Sequence, residues 1–276
     1  MIGFYKMSLV GDAHLADKNP VCQDANAVKS LANGWVIAVI ADGLGSAKYS
    51  DVGSRTAVEV VARFVEEHLP DKWHDESLKS LLQTAYHAAF KSIKKIAAQR
   101  EHNIKEYDTT LTTLIYNGTN VVYGHVGDGG IIALSPYGDF SMLTTAQKGE
   151  EFNVVVPLRM GPDNWVFGTA RESACALLMM TDGIYDIACP WLLAKQKPPI
   201  YIHYVRDFMD TNILAVKTPT DFENAQEEIK SFFTSKDSKQ ITDDKTIVGI
   251  INTDVTPEVK PEQYYAVPDF EALAKE

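Results

Sequence analysis

Hydrophobic and polar positions along the chain fall into three rhythms. Residues 35–41, WVIAVIA, form an unbroken apolar run rich in β-branched residues and too short for a helix, which reads as a buried strand. Residues 50–69 carry Ala57, Val60, Val61, Phe64 and Val65 at helical spacing, with Ser50 placed to cap the start and Pro70 beyond the end. Residues 75–100 repeat that rhythm, with Leu78, Leu81, Leu82, Ala85, Ala89, Ile93 and Ile96 on one face. The period then shortens. Asn117-Gly118 separates LTTLIY from NVVYGHV, Asp128-Gly129-Gly130 separates that from IIAL, and Tyr137-Gly138-Asp139 precedes a further short strand. These turn signals between apolar runs predict an antiparallel meander. Another apolar strand spans 174–181, helical patterns lie near 200–215 and 219–234, and TIVGIIN at 246–252 is a last strand.

Strands joined by hairpins, with helices in separate blocks, predict an α+β fold. Two long helices cannot share one face of a meander with two later helices. The arrangement that buries all of them is a four-layer α-β-β-α sandwich, two antiparallel sheets flanked by helix pairs. Residues 1–252 are expected to form this domain. The tail 253–276, with three prolines and mixed charge, has no clear period and is expected to wrap the domain or extend from it.

Composition narrows the partners. The 276 residues are 45% hydrophobic, enough for a sizeable core, and carry a formal net charge of −11. Nucleic acid is not an expected partner, because no basic cluster is present beyond Lys91–Lys95, which reads as the solvated face of a helix. No apolar run reaches the length of about 18 residues that a membrane helix needs, and MIGFYKMSLVGD lacks the apolar core of a secretory signal. Cys22, Cys175 and Cys189 are odd in number and share no C-x-x-C spacing, so reduced thiols in the cytoplasm are expected.

Two apolar runs end abruptly in aspartate: Asp42-Gly43 after 35–41 and Asp182-Gly183 after 174–181. Asp-Gly usually marks a hairpin, but neither pair is followed by a returning strand. Burying an unpaired carboxylate is costly, and a bound cation removes that cost. Further acids lie near strand ends: Asp24 in CQDANAV, Asp128 in GHVGDGG, Asp186 beside Asp182, and Asp243 and Asp244 in TDDKT. No His or Cys accompanies them at metal-ligand spacing. Oxygen-only ligation selects hard cations such as Mg²⁺ or Mn²⁺. Gly43 adds a closely approaching backbone carbonyl. Two such ions can lower the pKa of a shared water and aim it at phosphorus.

The pieces QDA (23–25), ADGLG (41–45), TTLT (109–112), GHVGDGG (124–130), TDGIYD (181–186) and DDKT (243–246), in this order, resemble the PPM/PP2C family of metal-dependent protein serine/threonine phosphatases, in particular its compact bacterial branch. The match runs from about residue 8 to about residue 252. The resemblance implies a four-layer fold of the same kind and two Mg²⁺ or Mn²⁺ ions, with a third more weakly held. By the same resemblance Asp42 would bridge two ions and the Gly43 carbonyl would complete one shell. Asp182 and Asp243 would hold the other ion, and Asp24 would act mainly through bound waters. Asp128 and Asp182, with Asp186 nearby, would form the third site. The nucleophile would be the bridging water, attacking a phosphoserine or phosphothreonine of a phosphoprotein in line, so Asp42 and Asp182 are the expected catalytic centre. The competing readings are a catalytically weak or inactive member acting as a regulatory module, and a metal-dependent nuclease. The loss of a residue such as Asp42 would favour the first; the acidic charge opposes the second.

Two departures from the eukaryotic pattern stand out. The family's phosphate-binding Arg is missing from GDAHLADKNPVCQDA, where His14 and Lys18 are the available substrate-binding cations. The histidine that often follows the first Asp-Gly and is proposed as general acid is Leu44 here, as bacterial relatives also commonly lack it. Residues 146–170 lie where the family carries a flap, which brings Arg159 into consideration as a substrate contact. His125 reads as a core histidine, Asp244 as an exposed neighbour of Asp243, and the threonines at 109–113 as strand residues with at most one facing the site.

Overall fold

The run at 36–41 forms β3 (Val36–Ala41), and all six residues are buried. Its lack of alternation has a direct cause. Ile37, Val39 and Ala41 pack against helices, while Val36, Ala38 and Ile40 pack against a second sheet. The computed structural model describes residues 1–16, 20–147, 155–235 and 241–275. One sheet has the order β2 (Ala25–Ser30), β3, β4 (Leu111–Tyr116), β5 (Val121–Val126) and β8 (Val166–Thr169). The other has the order β1 (Ile2–Leu9), β10 (Lys245–Asn252), β9 (Ala176–Met180), β6 (Gly130–Leu134) and β7 (Phe140–Met142). All pairings are antiparallel.

Helices α1 (Ser50–His68) and α2 (Asp75–Gln99) cover the outer face of the β3 sheet through Ala57, Val61, Val65, Leu78, Leu82 and Ala85. Helices α3 (Asp182–Ala188), α4 (Ile202–Met209) and α5 (Pro219–Thr234) cover the outer face of the β9 sheet, with Ile184, Val205, Phe222 and Ile229 inward. Between the sheets lies a third core layer of Leu114, Ile131, Leu177, Met179, Val248 and Ile250. The four-layer α+β sandwich matches the expected class. Among the described residues, no helix is long and apolar enough to cross a membrane.

The meander needs correction. β4 and β5 do form a hairpin in register Leu111↔Val126 to Tyr116↔Val121, and β6 and β7 form another. The segment between them is no hairpin: β5 and β6 belong to different sheets. Gly127 makes the crossing at φ 124°, a conformation that L side chains rarely adopt, and a Cβ there would lie 2.5 Å from the Thr110 side chain. β1 and the four-residue edge strand β8 were not expected, and β8 falls inside the segment read as a flap. Residues 148–154 of that segment lie outside the described residues. Ser50 is the first helical residue and makes no capping bond; Tyr49 holds the cap position.

The tail packs on the β9-sheet side. The Tyr265 carbonyl lies 3.1 Å from His203 Nδ1, its ring lies 3.7 Å from the Arg206 guanidinium, and the Tyr264 hydroxyl accepts the Phe140 amide at 3.0 Å. A short helix α6 (Phe270–Leu273) ends it.

Candidate active site

Asp42 leaves β3 where β4 begins, and β4 holds its backbone. Thr110 Oγ1 accepts the Asp42 amide at 2.9 Å, and the Asp42 carbonyl accepts from the Thr110 amide and Thr109 Oγ1, both at 2.8 Å. Two threonine hydroxyls thus do what a hairpin partner would otherwise do, and the carboxylate is left to face the sheet end. Asp24 precedes β2 and reaches across to the other sheet, where Thr181 Oγ1 donates to its Oδ2 at 2.8 Å. Thr181 Oγ1 in turn accepts the Thr246 amide at 3.2 Å. Asp128 rides on the crossing between sheets, which is fixed by Gln147: its amide donates to the Gly127 carbonyl at 2.7 Å and its Oε1 accepts the Gly127 amide at 3.1 Å. Asp182 opens α3, directly after β9.

These placements converge. One carboxylate oxygen each of Asp42, Asp128 and Asp182 lie within 4.8 Å of one another. The three line a cavity of about 370 Å³ together with His14, Gly43, Leu44, Thr110 and Asp243. Gathering acids in so dry a place disfavours their ionised forms. Burial, then the charges of Asp24 and Asp182, push Asp42 well above the usual carboxylate range. Burial also raises Asp24 to about 8, against the opposing hydrogen bonds of Thr181 and Thr246. Asp182 is raised by burial too, with Asp243 and Asp186 adding to the effect. No Lys or Arg among the described residues lines this cavity. Buried Asp24 Oδ1 and Asp182 Oδ1 have no hydrogen-bond partner. Unsatisfied buried carboxylate oxygens in an all-oxygen donor set fit a hard divalent cation.

The other expected residues fall at different distances from this centre. Asp243 and Gly43 line the cavity, whereas buried Asp24 does not and is bonded to Thr181. Asp186 is exposed, one turn along α3, and lines a separate apolar cavity with Tyr185, Cys189 and Trp191. His14 lines the acidic cavity. Lys18 lies outside the described residues. Arg159 does not line the cavity: its Nε and a terminal nitrogen bind the two oxygens of Asp108 at 2.7 and 2.8 Å, so the bidentate fork is spent on a loop carboxylate. Asp244 is not an exposed neighbour. It is 2% exposed, and its carboxylate accepts the Gly11 amide at 2.6 Å and the Gln23 amide at 2.5 Å. His125 is a core residue bonded to Thr112 through Nδ1 at 2.9 Å, and burial lowers its pKa to about 4.

The sequence reading missed the roles of Thr109, Thr110, Thr181 and Asp244. Gly11 carried a signal for the last: a Cβ there would overlap the Asp243 backbone, so only glycine lets the two loops meet.

A model of the protein phosphatase 2C family matches residues 10–233. No curated protein sequence matches the chain. Among solved structures, the fold is similar to that of the serine/threonine phosphatase Stp1 from Staphylococcus aureus, at 15% identity and a TM-score of 0.61, over 91% of this chain and 95% of that one. It is similar to the catalytic domain of the serine/threonine protein phosphatase PstP in complex with two manganese ions, at 15% identity and a TM-score of 0.58, over 91% and 97%. It is also similar to RsbX in complex with magnesium, at 16% identity and a TM-score of 0.52, over 91% and 95%.

Proposed function

Because the chain belongs to the protein phosphatase 2C family, we propose that it hydrolyses phosphoserine and phosphothreonine in phosphoproteins, in a reaction that depends on Mg²⁺ or Mn²⁺. The observation that carries this reading is the convergence of Asp42, Asp128 and Asp182 oxygens within 4.8 Å at the end of two sheets. Structures similar in fold hold manganese or magnesium, which supports the choice of cation.

The residues that would hold the ions are Asp24, Asp42, the Gly43 carbonyl, Asp182 and Asp243, with Asp128 and Asp186 beside Asp182 for a third. When bound, the cations supply Lewis acidity toward the phosphoryl oxygens and toward an attacking water. The chain's own part is placement. Thr109 and Thr110 fix the Asp42 backbone, which sets where its carboxylate starts from. Thr181 ties Asp24 to the opposite sheet. Where these carboxylates are ionised they repel a phosphate dianion, and bound cations would remove that repulsion. Three unpaired cysteines support a reducing, cytoplasmic setting.

The test measures phosphate release from p-nitrophenyl phosphate and a phosphothreonine peptide, with Mn²⁺ or with EDTA, for the wild type and Asp42→Asn. Mn²⁺-dependent turnover should fall about 100-fold in the variant, because asparagine carries no negative charge and would offer a cation one oxygen in place of two. Calorimetric titration with Mn²⁺ should show weakened binding in the same variant. Folded wild-type protein that releases no phosphate with any divalent cation would refute the reading.

A further inference from the structure

Breaking the ester bond of a phosphothreonine leaves an alkoxide unless a proton reaches the departing oxygen, and the residue that follows Asp42-Gly43 is Leu44, which has none to give. We propose that His14 donates that proton and that the buried Asp244 orients it for the task; this rests on the phosphatase reading above.

His14 lines the same cavity as Asp42, Asp128 and Asp182. Its side chain is 25% exposed, and its Nδ1 lies 3.1 Å from Asp244 Oδ1. Asp244 is well fixed for an orienting role. Its two oxygens accept the amides of Gly11 and Gln23, from both sides of the segment that carries His14. That segment is itself pinned: the His14 amide donates to the Gly11 carbonyl at 3.0 Å and the Ala13 amide to the Thr242 carbonyl at 2.9 Å. Asp244 already acts as acceptor toward two backbone amides, so the proton on this contact is assigned to His14 Nδ1, and Nε2 is the nitrogen left to serve the substrate. The other described polar side chains around the cavity are weaker candidates. The carboxylates are the expected cation ligands. Thr110 and Ser46 carry hydroxyls, whose protons are far less acidic than that of an imidazolium. His14 is the only imidazole among them, and imidazole is the side chain most often used as general acid.

The step balances as follows. The oxygen of water forms a bond to phosphorus and releases one proton to solvent. The bond from phosphorus to threonine Oγ1 breaks, its electron pair stays on that oxygen, and the oxygen takes the proton from His14 Nε2. The neutral imidazole then recovers a proton from solvent, and hydrogen phosphate and a free threonine leave.

The experiment compares two leaving groups in the wild type and His14→Gln, with Mn²⁺ present. p-Nitrophenolate is a weak base and leaves without a proton, whereas the threonine alkoxide does not. The loss of kcat/KM on the phosphothreonine peptide should exceed the loss on p-nitrophenyl phosphate by at least about tenfold, given the roughly 10²–10⁴-fold usually contributed by a general acid. Thermal melting should confirm that the substitution leaves the fold intact. Equal losses on both substrates would mean that His14 only holds the phosphate or the loop, and would overturn the proposal. So would an undiminished rate on the peptide. If the wild type turns over neither substrate, the phosphatase reading itself has failed, a result distinct from either of these.

Discussion

Asp243 and Asp244 are chemically identical neighbours with opposite fates. Asp243 lines the acidic cavity, whereas Asp244 is buried behind it, accepting two backbone amides and facing His14. Asp244→Ala removes a charged acceptor from both amides, and a stability loss of about 2–4 kcal/mol is expected, read from the urea midpoint. A loss below about 1 kcal/mol would show that water replaces the carboxylate freely. Nothing in TDDKT separates the two residues, because the distinction depends on loops 221–233 positions away in sequence. Asp108 and Arg159 teach the same lesson across 51 positions. What was legible at this scale were residues whose neighbours carry their own signature. Asp42 and Asp182 each stand at the end of an apolar run with glycine behind. The threonines that hold Asp42 look like ordinary strand residues until the strands are paired.

Elements were legible where the repeat is long. Helices α2 and α5 span 75–99 and 219–234, close to the ranges set by their spacing alone, and α5 carries a full capping box between Thr218 and Asp221. Short strands fared worse. β8 has four residues and its pairing is entirely with β5, so no local pattern announces it. Asp128-Gly129-Gly130 has hairpin composition, yet the chain there leaves one sheet for the other, since a turn signal specifies a bend and not its destination. Gly127→Ala tests this crossing. The positive φ and the overlap with Thr110 should cost about 2–4 kcal/mol. Mn²⁺ affinity measured by calorimetry should fall as well, because Asp128 is displaced with its backbone. Unchanged affinity in a folded variant would show that Asp128 is dispensable to the cations.

At the scale of the whole molecule, the acidic cluster sets the pH response. The folded-state pKa values of Asp24, Asp42 and Asp182 lie above the ordinary 3.8, with Asp24 at about 8. Groups raised in this way favour the folded state at pH values below 3.8, and that contribution is lost as pH rises toward 8. Melting temperature in EDTA is therefore expected to fall between pH 5 and pH 8, and Mn²⁺ at pH 8 should restore it. A melting temperature that rises over this window in EDTA would contradict the burial of the cluster. A chain cut after Asn252 tests the boundary at 252/253. Both sheets remain whole, so it should fold, with a lowered melting temperature from loss of the Tyr264 and Tyr265 contacts.

The carboxylates do not come from one sheet. Asp24 and Asp42 lie at strand ends of the β3 sheet, Asp182 and Asp243 next to strand ends of the β9 sheet, and Asp128 in the strip of chain between them. Without a cation, repulsion acts across the seam between the layers and works to part them. With one bound, the same groups become a rivet. Amide protons in β3 and β9 should then exchange with deuterium in a single cooperative event, whereas in EDTA each sheet is free to open on its own schedule.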